Sequence, residues 1–457
     1  VDKKIVETFC TVLTLLAATF PTILIYCTEQ PIGIFKAIET GYANRPDLKK
    51  IFRDARSNKE LEKASLSGYF PQIQVEAGAG KASGQNIFAP KRFATLYFTQ
   101  LLYSPAGPIQ LYRIARQDTR ILEWQQIIQK DAIRFESSTG LLDLWFSQQK
   151  DLLIKKYDLV SKLVYRKQLH EHALGLSDKD ILLEQTSEFE LAQARVRKYI
   201  DELIIASSNL ERNLAMSCTP GTAIDTSSVT CMIDQALHAA TKDSVGAYYQ
   251  QAIANRQELR IVDEMMIKET YWERFYCKSY FPSISLYTNI IHYVYNGLLE
   301  RFDNIGPAAK ALKNLFNFRT GWNAGIKLDW QFDGFENMFN AGASEERRFS
   351  ALMERLDKLQ RIKQEVFVNH AKLQGLYKEF KASLSDYKRA TNEILLKRKQ
   401  FEVGLISPVD LQQAETVWLK AQYDYLTSKV NVAKQYQRLL YSCGYPDNPQ
   451  TILAKRS

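Results

Sequence analysis

Few residues in this sequence have types and spacings suited to chemistry. His170 and His172 lie two apart, but no cysteine or carboxylate set surrounds them at metal-ligand spacing, so they read as solvated helix-surface side chains. Of the six cysteines, Cys10 and Cys27 lie in or beside an apolar N-terminal run, and Cys277 and Cys443 stand alone. Cys218 and Cys231 flank a polar Thr/Ser/Gly loop and could pair after export. No nucleophile–base pair, metal set or phosphate loop is present, so neither enzyme chemistry nor a cofactor is expected. The polar residues with the most defined setting belong to a helix reversal, Phe401 to Asp410. Gly404 sits where a helix C-cap needs positive φ, Ser407 is a good N-cap, and Pro408 fits the first helical position. Asp410, three residues after the cap, suits capping and the helix dipole.

The reversal occurs twice, with Gly175-Leu176-Ser177-Asp178 as the other copy. Shifted by 211 residues, 44–73 falls on 255–284 with eight of thirty positions identical and no gap, including Asn44-Arg45, Leu48 and Tyr69-Phe70-Pro71. Gly175-Leu176 meets Gly404-Leu405 at a shift of 229, so the second half has gained 18 residues (229 − 211). A period this long excludes a solenoid and points to two related halves.

Each half has the same order. The first repeat is placed at 34–216, with strands near 69–80 and 92–103, a long helix at 108–174 and a return helix at 178–216. The second is placed at 236–443, with strands near 280–292 and 319–332, a long helix at 344–403 and a return helix at 408–443. A linker at 217–235 joins them and a tail follows at 444–457. The extra residues fall in the loop 291–320, whose shorter counterpart is 80–92.

The strand segments alternate. Trp322, Ala324, Ile326, Leu328 and Trp330 are apolar, and the residues between them are polar or glycine. Ile73, Val75, Ala77 and Ala79 repeat the pattern, as do Ile284, Leu286 and Ile290. Period 2 makes one oily and one wet face. That suits a half-buried sheet of a soluble domain or a transmembrane barrel strand of about 9–11 residues. Pro71 and Pro282 mark strand entry, where proline is tolerated. An open sheet edge is not tolerated in lipid, so in the barrel reading the strands must join those of other copies.

The N-terminal residues bear on that choice. Lys3-Lys4 precede an apolar run from Ile5 to Cys27, which reads as a secretory signal over 1–27; Glu7 and Pro21 speak against a permanent span. The net charge of +9 comes with no nucleic-acid motif, so no nucleic acid is expected as a partner. The long helix at 108–174 would run roughly 100 Å, too long for a small globule. In the return helices Leu182, Phe189, Val196, Leu203 and Leu210, and Leu411, Trp418, Tyr425, Val432 and Leu439, recur every seven residues. Small or modest side chains such as Ala192, Ala206, Ala414 and Ala421 interleave with them, a knobs-into-holes pattern.

Taken in order, Asn44-Arg45-Pro46-Asp47-Leu48, Tyr69-Phe70-Pro71-Gln72-Ile73, Gln100-Leu101-Leu102-Tyr103-Ser104, Trp330-Gln331-Phe332-Asp333-Gly334, Phe401-Glu402-Val403-Gly404-Leu405 and Leu439-Leu440-Tyr441-Ser442-Cys443-Gly444 resemble TolC-type outer membrane efflux or secretion channels. The resemblance covers residues 34–444. It implies an α plus transmembrane β fold of duplicated helix–β-hairpin–helix–helix halves. Three copies would form a homotrimer with a twelve-stranded barrel in outer membrane lipid of a Gram-negative-type cell, continuous with a periplasmic α-helical barrel. The implied partners are a periplasmic adaptor and an inner-membrane efflux pump or secretion ATPase. Gly175, Leu176, Ser177, Gly404, Leu405, Ile406 and Ser407 would form the tips that dock the adaptor. Asp410 takes the place of an entrance carboxylate, but the second such position is Gln413. Phe401 stands where some relatives carry a tyrosine whose hydrogen bond ties the closed state, a bond Phe401 cannot make. The alternative is an exported periplasmic coiled-coil scaffold without a pore.

Overall fold

The computed structural model describes residues 31–79, 92–175, 178–242, 244–294, 318–332, 334–406 and 408–445. The expected signal segment, most of both strand-connecting loops, Leu176, Ser177, Ser407 and residues 446–457 lie outside them. Helices dominate, with a single four-stranded sheet among the described residues. In order they are α1 (Ile34–Asn44), α2 (Pro46–Ala64), β1 (Gln72–Ala79), β2 (Arg92–Tyr103), α3 (Pro108–Ala173), α4 (Lys179–Leu214) and α5 (Thr226–Lys242). Then come α6 (Val245–Asn255), α7 (Gln257–Lys278), β3 (Ser283–Val294), β4 (Phe318–Asp329), α8 (Glu336–Glu402) and α9 (Pro408–Ser442).

The chain divides into two units. One comprises 1–44, 136–239 and 376–434; the other comprises 45–135, 240–375 and 435–457. The second unit holds the sheet, which is antiparallel throughout in the order β1-β2-β3-β4. Pro71 and Pro282 each directly precede a strand, where a missing N–H costs no ladder bond. α8 begins at Glu336, earlier than residue 344. The Asn340-Ala341-Gly342-Ala343 stretch, before the expected start, is helical. Gly342 costs about 1 kcal/mol relative to Ala, which the neighbouring turns absorb. Gly334 and Phe335 at positive φ turn the chain into α8, and the Tyr280 hydroxyl accepts a bond from the Met338 N–H at 2.8 Å.

In the first unit the heptad positions are packed. Ala192, Ala206 and Leu210 of α4 are buried, and Phe189 stacks on Tyr165 of α3 with ring centres 4.7 Å apart. On α9 the Trp418 Nε1–H donates to Thr391 of α8 at 3.2 Å, and Tyr425 stacks on Tyr387 at 5.1 Å. The Ser428 and Ser383 hydroxyls of α9 and α8 are hydrogen-bonded to each other.

Two further features of this unit bear on the segment between the repeats. The linker at 217–235 is not wholly irregular, because α5 starts within it at Thr226. Val229, Met232, Ile233 and Ala236 are spaced i, i+3, i+4, i+7 and all are buried, contributing about 1.5–3 kcal/mol for each large side chain. Asp225 caps the helix, accepting from the Ser227 N–H at 3.0 Å and its hydroxyl at 2.7 Å. Cys218 and Cys231 are not joined as a disulfide. Cys218 is buried in the turn before α5, whereas Cys231 lies exposed on α5, its Sγ accepting from Gln235 at 3.7 Å.

Candidate functional site

Cross-strand register decides what each face of the sheet presents. Residues directly opposite one another in an antiparallel ladder point to the same side. One row is Val75–Leu96–Ile290–Trp322, a second is Ile73–Phe98–Thr288–Ala324, and a third runs Gln100–Leu286–Ile326. This side is mostly apolar and open, with Ile73, Val75, Trp322 and Ile326 69%, 71%, 74% and 70% exposed, and Gln100, Thr288, His292 and Thr320 its polar members. The opposite side carries Gln74–Tyr97–Asn289–Asn323 and Gln72–Thr99–Tyr287–Gly325. There the Tyr287 ring lies over Gly325, where a Cβ would meet it at 3.2 Å, so the glycine makes room for the aromatic.

β2, β3 and β4 are 12 residues long and β1 is 8, near the 9–11 that a tilted strand needs to cross a bilayer core. The β2–β3 register shifts between Leu101 and Tyr103, at the end that leads into α3. Such a bulge increases twist where a sheet meets another element. The outer edges of β1 and β4 have no strand partner among the described residues. A sheet that exposes an oily face and both edges is suited to a setting in which lipid covers the face and further strands cover the edges.

The two helix reversals belong to the other unit. Gly175 has φ of +74° and Gly404 of +77°. At the second, the Leu405 N–H donates to the Gln400 carbonyl at 2.8 Å and the Gly404 N–H to the Phe401 carbonyl at 2.9 Å, a Schellman closure. At the first, the Gly175 N–H bonds the His172 carbonyl at 2.9 Å in the same way. Leu405 is exposed beyond the turn, and Phe401 is partly exposed in the last turn of α8. Asp410 and Gln413 are both exposed, three residues apart on the first turns of α9 and so on one face of it. Asp410 lies in the first turn, where a carboxylate is favourable to the helix dipole. Among the described residues there is no group of three or more metal-ligating side chains, and no helix is long and apolar enough to cross a membrane.

Sequence reasoning missed a buried ammonium in this unit. Lys150 of α3 is 6% exposed, with its Nζ 2.6 Å from Glu202 of α4. The same Nζ lies 4.5 Å from the ring centre of Tyr199 and 5.1 Å from those of Phe146 and Tyr423. Cation–π contacts and one ion pair together make the burial tolerable. Burial pushes the Tyr199 phenol up to about 12. Phe146 at i−4 from Lys150 was the one readable sign; Tyr199 and Tyr423 come from other helices.

No family model matches the chain, and no curated protein does. Solved structures do. CusC, described in connection with transmembrane channel formation, superposes with a TM-score of 0.69 at 15% identity, over 92% of this chain and 95% of its own. The CmeC outer membrane channel of Campylobacter jejuni gives 0.67 at 13%, over 92% of this chain and 88% of its own. The MtrE outer membrane channel of Neisseria gonorrhoeae, solved in its open state, gives 0.65 at 12%, over 90% and 88%. At these identities the likeness establishes the fold: the chain is folded as TolC-type outer membrane channels are.

Proposed function

We propose that the chain is one subunit of an outer membrane exit channel. Three copies each contribute four strands to a twelve-stranded barrel and their long helices to a periplasmic duct. The observation that carries this reading is the four-stranded sheet, with one apolar exposed face, one polar face and two open edges. Closure by copies of the same chain removes the edges without any further strand. The duplicated sequence supports it, because two related hairpins and two related helix pairs per copy build a nearly even wall. The channels that share the fold add weight.

The two reversals at Gly175 and Gly404 become the periplasmic tips, where an adaptor of an inner-membrane pump or secretion ATPase would dock. Asp410, with Gln413 one turn on and Phe401 across the turn, stands at the entrance. One carboxylate per copy gives a thinner acidic ring than two would. Transport needs no chemistry from this chain; the pump supplies the energy, and the duct supplies a wetted path.

Reconstitution into planar bilayers tests the proposal. The purified chain should need detergent, cross-link to a trimer and conduct ions. A monomer soluble in plain buffer would favour a coiled-coil scaffold instead. Asp410→Ala should change conductance or cation block and leave the trimer intact. A large loss of stability with unchanged conductance would leave Asp410 a capping residue only.

A further inference from the structure

In the unit that holds the sheet, α3 starts five residues after β2 ends, and α7 ends five residues before β3 begins. Between α3, α7 and Leu66 lies an open cavity of about 410 Å³. Its composition is graded. Leu66 and Ile109 lie at the end near the strands, Tyr112 and Tyr271 line the middle, and Arg113, Arg116 and Arg120 follow along α3. From Ile109 to Arg120 is roughly 16 Å along the helix.

The charges in this cavity are not balanced. Arg120 meets Glu264 of α7 at 3.5 Å, and the neighbouring Asp118 is taken by Lys268 at 2.6 Å. Arg113 lies over the Tyr271 ring at 5.8 Å and has no carboxylate among the described residues. Arg116 likewise makes no ion pair among them. Two guanidiniums three residues apart on one helix face form a fork suited to a phosphate group. Gln117 also lines the cavity, buried, and its Oε1 receives no hydrogen bond from the described residues. That acceptor suits a hydroxyl carried beside the phosphate.

We propose that this cavity binds a phosphate-bearing anion, with an anionic phospholipid headgroup as the ligand that uses all of it. Arg113 and Arg116 hold the phosphate, Gln117 accepts from a headgroup hydroxyl, and Leu66 and Ile109 meet the first carbons of the chains. The lipid source rests on the reading of β1–β4 as bilayer-spanning, which sets the first turns of α3 at headgroup depth. Sheet order supports access. β2 and β3 are the inner strands, so the cavity lies below the sheet centre, away from the β1 and β4 edges where further copies would join.

Native mass spectrometry of the full chain in detergent tests the site, with phosphatidylglycerol, phosphatidylcholine or inorganic phosphate added. Phosphatidylglycerol should be retained over phosphatidylcholine by about tenfold, as expected from one charge-assisted contact set. Arg113→Gln with Arg116→Gln should abolish the preference while circular dichroism stays that of the parent. Arg116→Lys, which keeps the charge, should retain part of it. Binding of inorganic phosphate with no lipid preference would support the anion site and assign it to a free solute. An unchanged preference in the double variant, or no binding of any phosphate-bearing probe, overturns the proposal. Bilayer conductance is measured separately. A conducting protein without the preference loses only the headgroup site, and a non-conducting protein with it loses only the channel reading.

Discussion

The two Asn-Arg turns that open α2 and α7 share one short motif, and its carboxylate and guanidinium gather different neighbours. Both arginines are extended N-cap residues, with φ, ψ of −62°, 124° at Arg45 and −69°, 116° at Arg256. In the first turn the carboxylate gathers its own turn and one neighbouring helix. Asp47 accepts from Arg45 at 3.1 and 2.5 Å, from the Leu48 N–H at 2.9 Å and from Gln129 of α3 at 2.6 Å. In the second the guanidinium is the hub. Arg256 donates to Glu258 at 3.0 Å, to Glu365 of α8 at 3.0 Å and to the Ser442 carbonyl at the end of α9 at 3.1 Å. Gly444 completes it: with φ of +64°, a Cβ there would lie 3.0 Å from the Asn255 carbonyl group. A guanidinium has five donors and can gather three elements, whereas a short carboxylate serves its own turn and one neighbour.

The largest expected effect separates the two hubs directly. Arg256→Ala strands a half-buried set of acceptors on three elements and should cost about 3 kcal/mol. Asp47→Ala removes the partly exposed carboxylate that joins its own turn to Gln129 and should cost about 1 kcal/mol. Denaturant unfolding of each variant in detergent measures both. Equal losses would mean that the second turn is no hub. Arg256→Lys should recover less than half, because an ammonium cannot hold three acceptors at these angles.

A second test uses Asp131, which lies on α3 beside the second hub and lines a pocket with Arg256, Glu258 and Tyr441. Burial pushes its carboxyl up to about 6; Arg134 opposes this, and the Glu258 charge adds to it. The folded value lies above the ordinary carboxylate value of 3.8, so the unfolded chain ionises first as pH rises. Stability should therefore fall between about pH 4 and pH 6, by at most about 3 kcal/mol in all. Asp131→Asn should flatten that part of the profile and raise stability at pH 7. A profile unchanged by the substitution would detach Asp131 from the comparison.

Much of the fold was legible because its signals are local. Alternation in Trp322–Trp330, Gly404 before Ser407-Pro408, and the seven-residue spacing of Leu411, Trp418 and Tyr425 each depend on neighbours in sequence. The helix at Thr226 was also written locally, in Val229, Met232, Ile233 and Ala236, but the polar Thr/Ser run before it masked the pattern. The Asn-Arg repeat was visible as identity, yet identity could not say which elements each turn would gather. That depends on Gln129, Glu365 and Ser442, which arrive from other elements. The cage around Lys150 and the arginine-lined cavity were hidden for the same reason: each is assembled from segments far apart in the chain.

The smallest expected effect gives the sharpest contrast, because its sign is opposite. Burial alone would raise the Asp47 carboxyl, but hydrogen bonds from Arg45 and the Leu48 N–H hold it below the ordinary carboxylate value of 3.8. A depressed folded value means that Asp47 stabilises the fold above 3.8 and that this contribution is lost as pH falls through the folded value. The side chain is 38% exposed, so solvent screening keeps the effect below about 1 kcal/mol. Asp47→Asn should remove this acid-side loss and leave the fall between pH 4 and 6 untouched, whereas Asp131→Asn should do the reverse. Unfolding profiles of the two single variants and the double variant decide it. If the double variant shows the sum of both changes, the two turns act independently although both meet the same stretch of α3. A non-additive result would mean that Gln129 and Asp131, two residues apart on that helix, pass strain from one turn to the other.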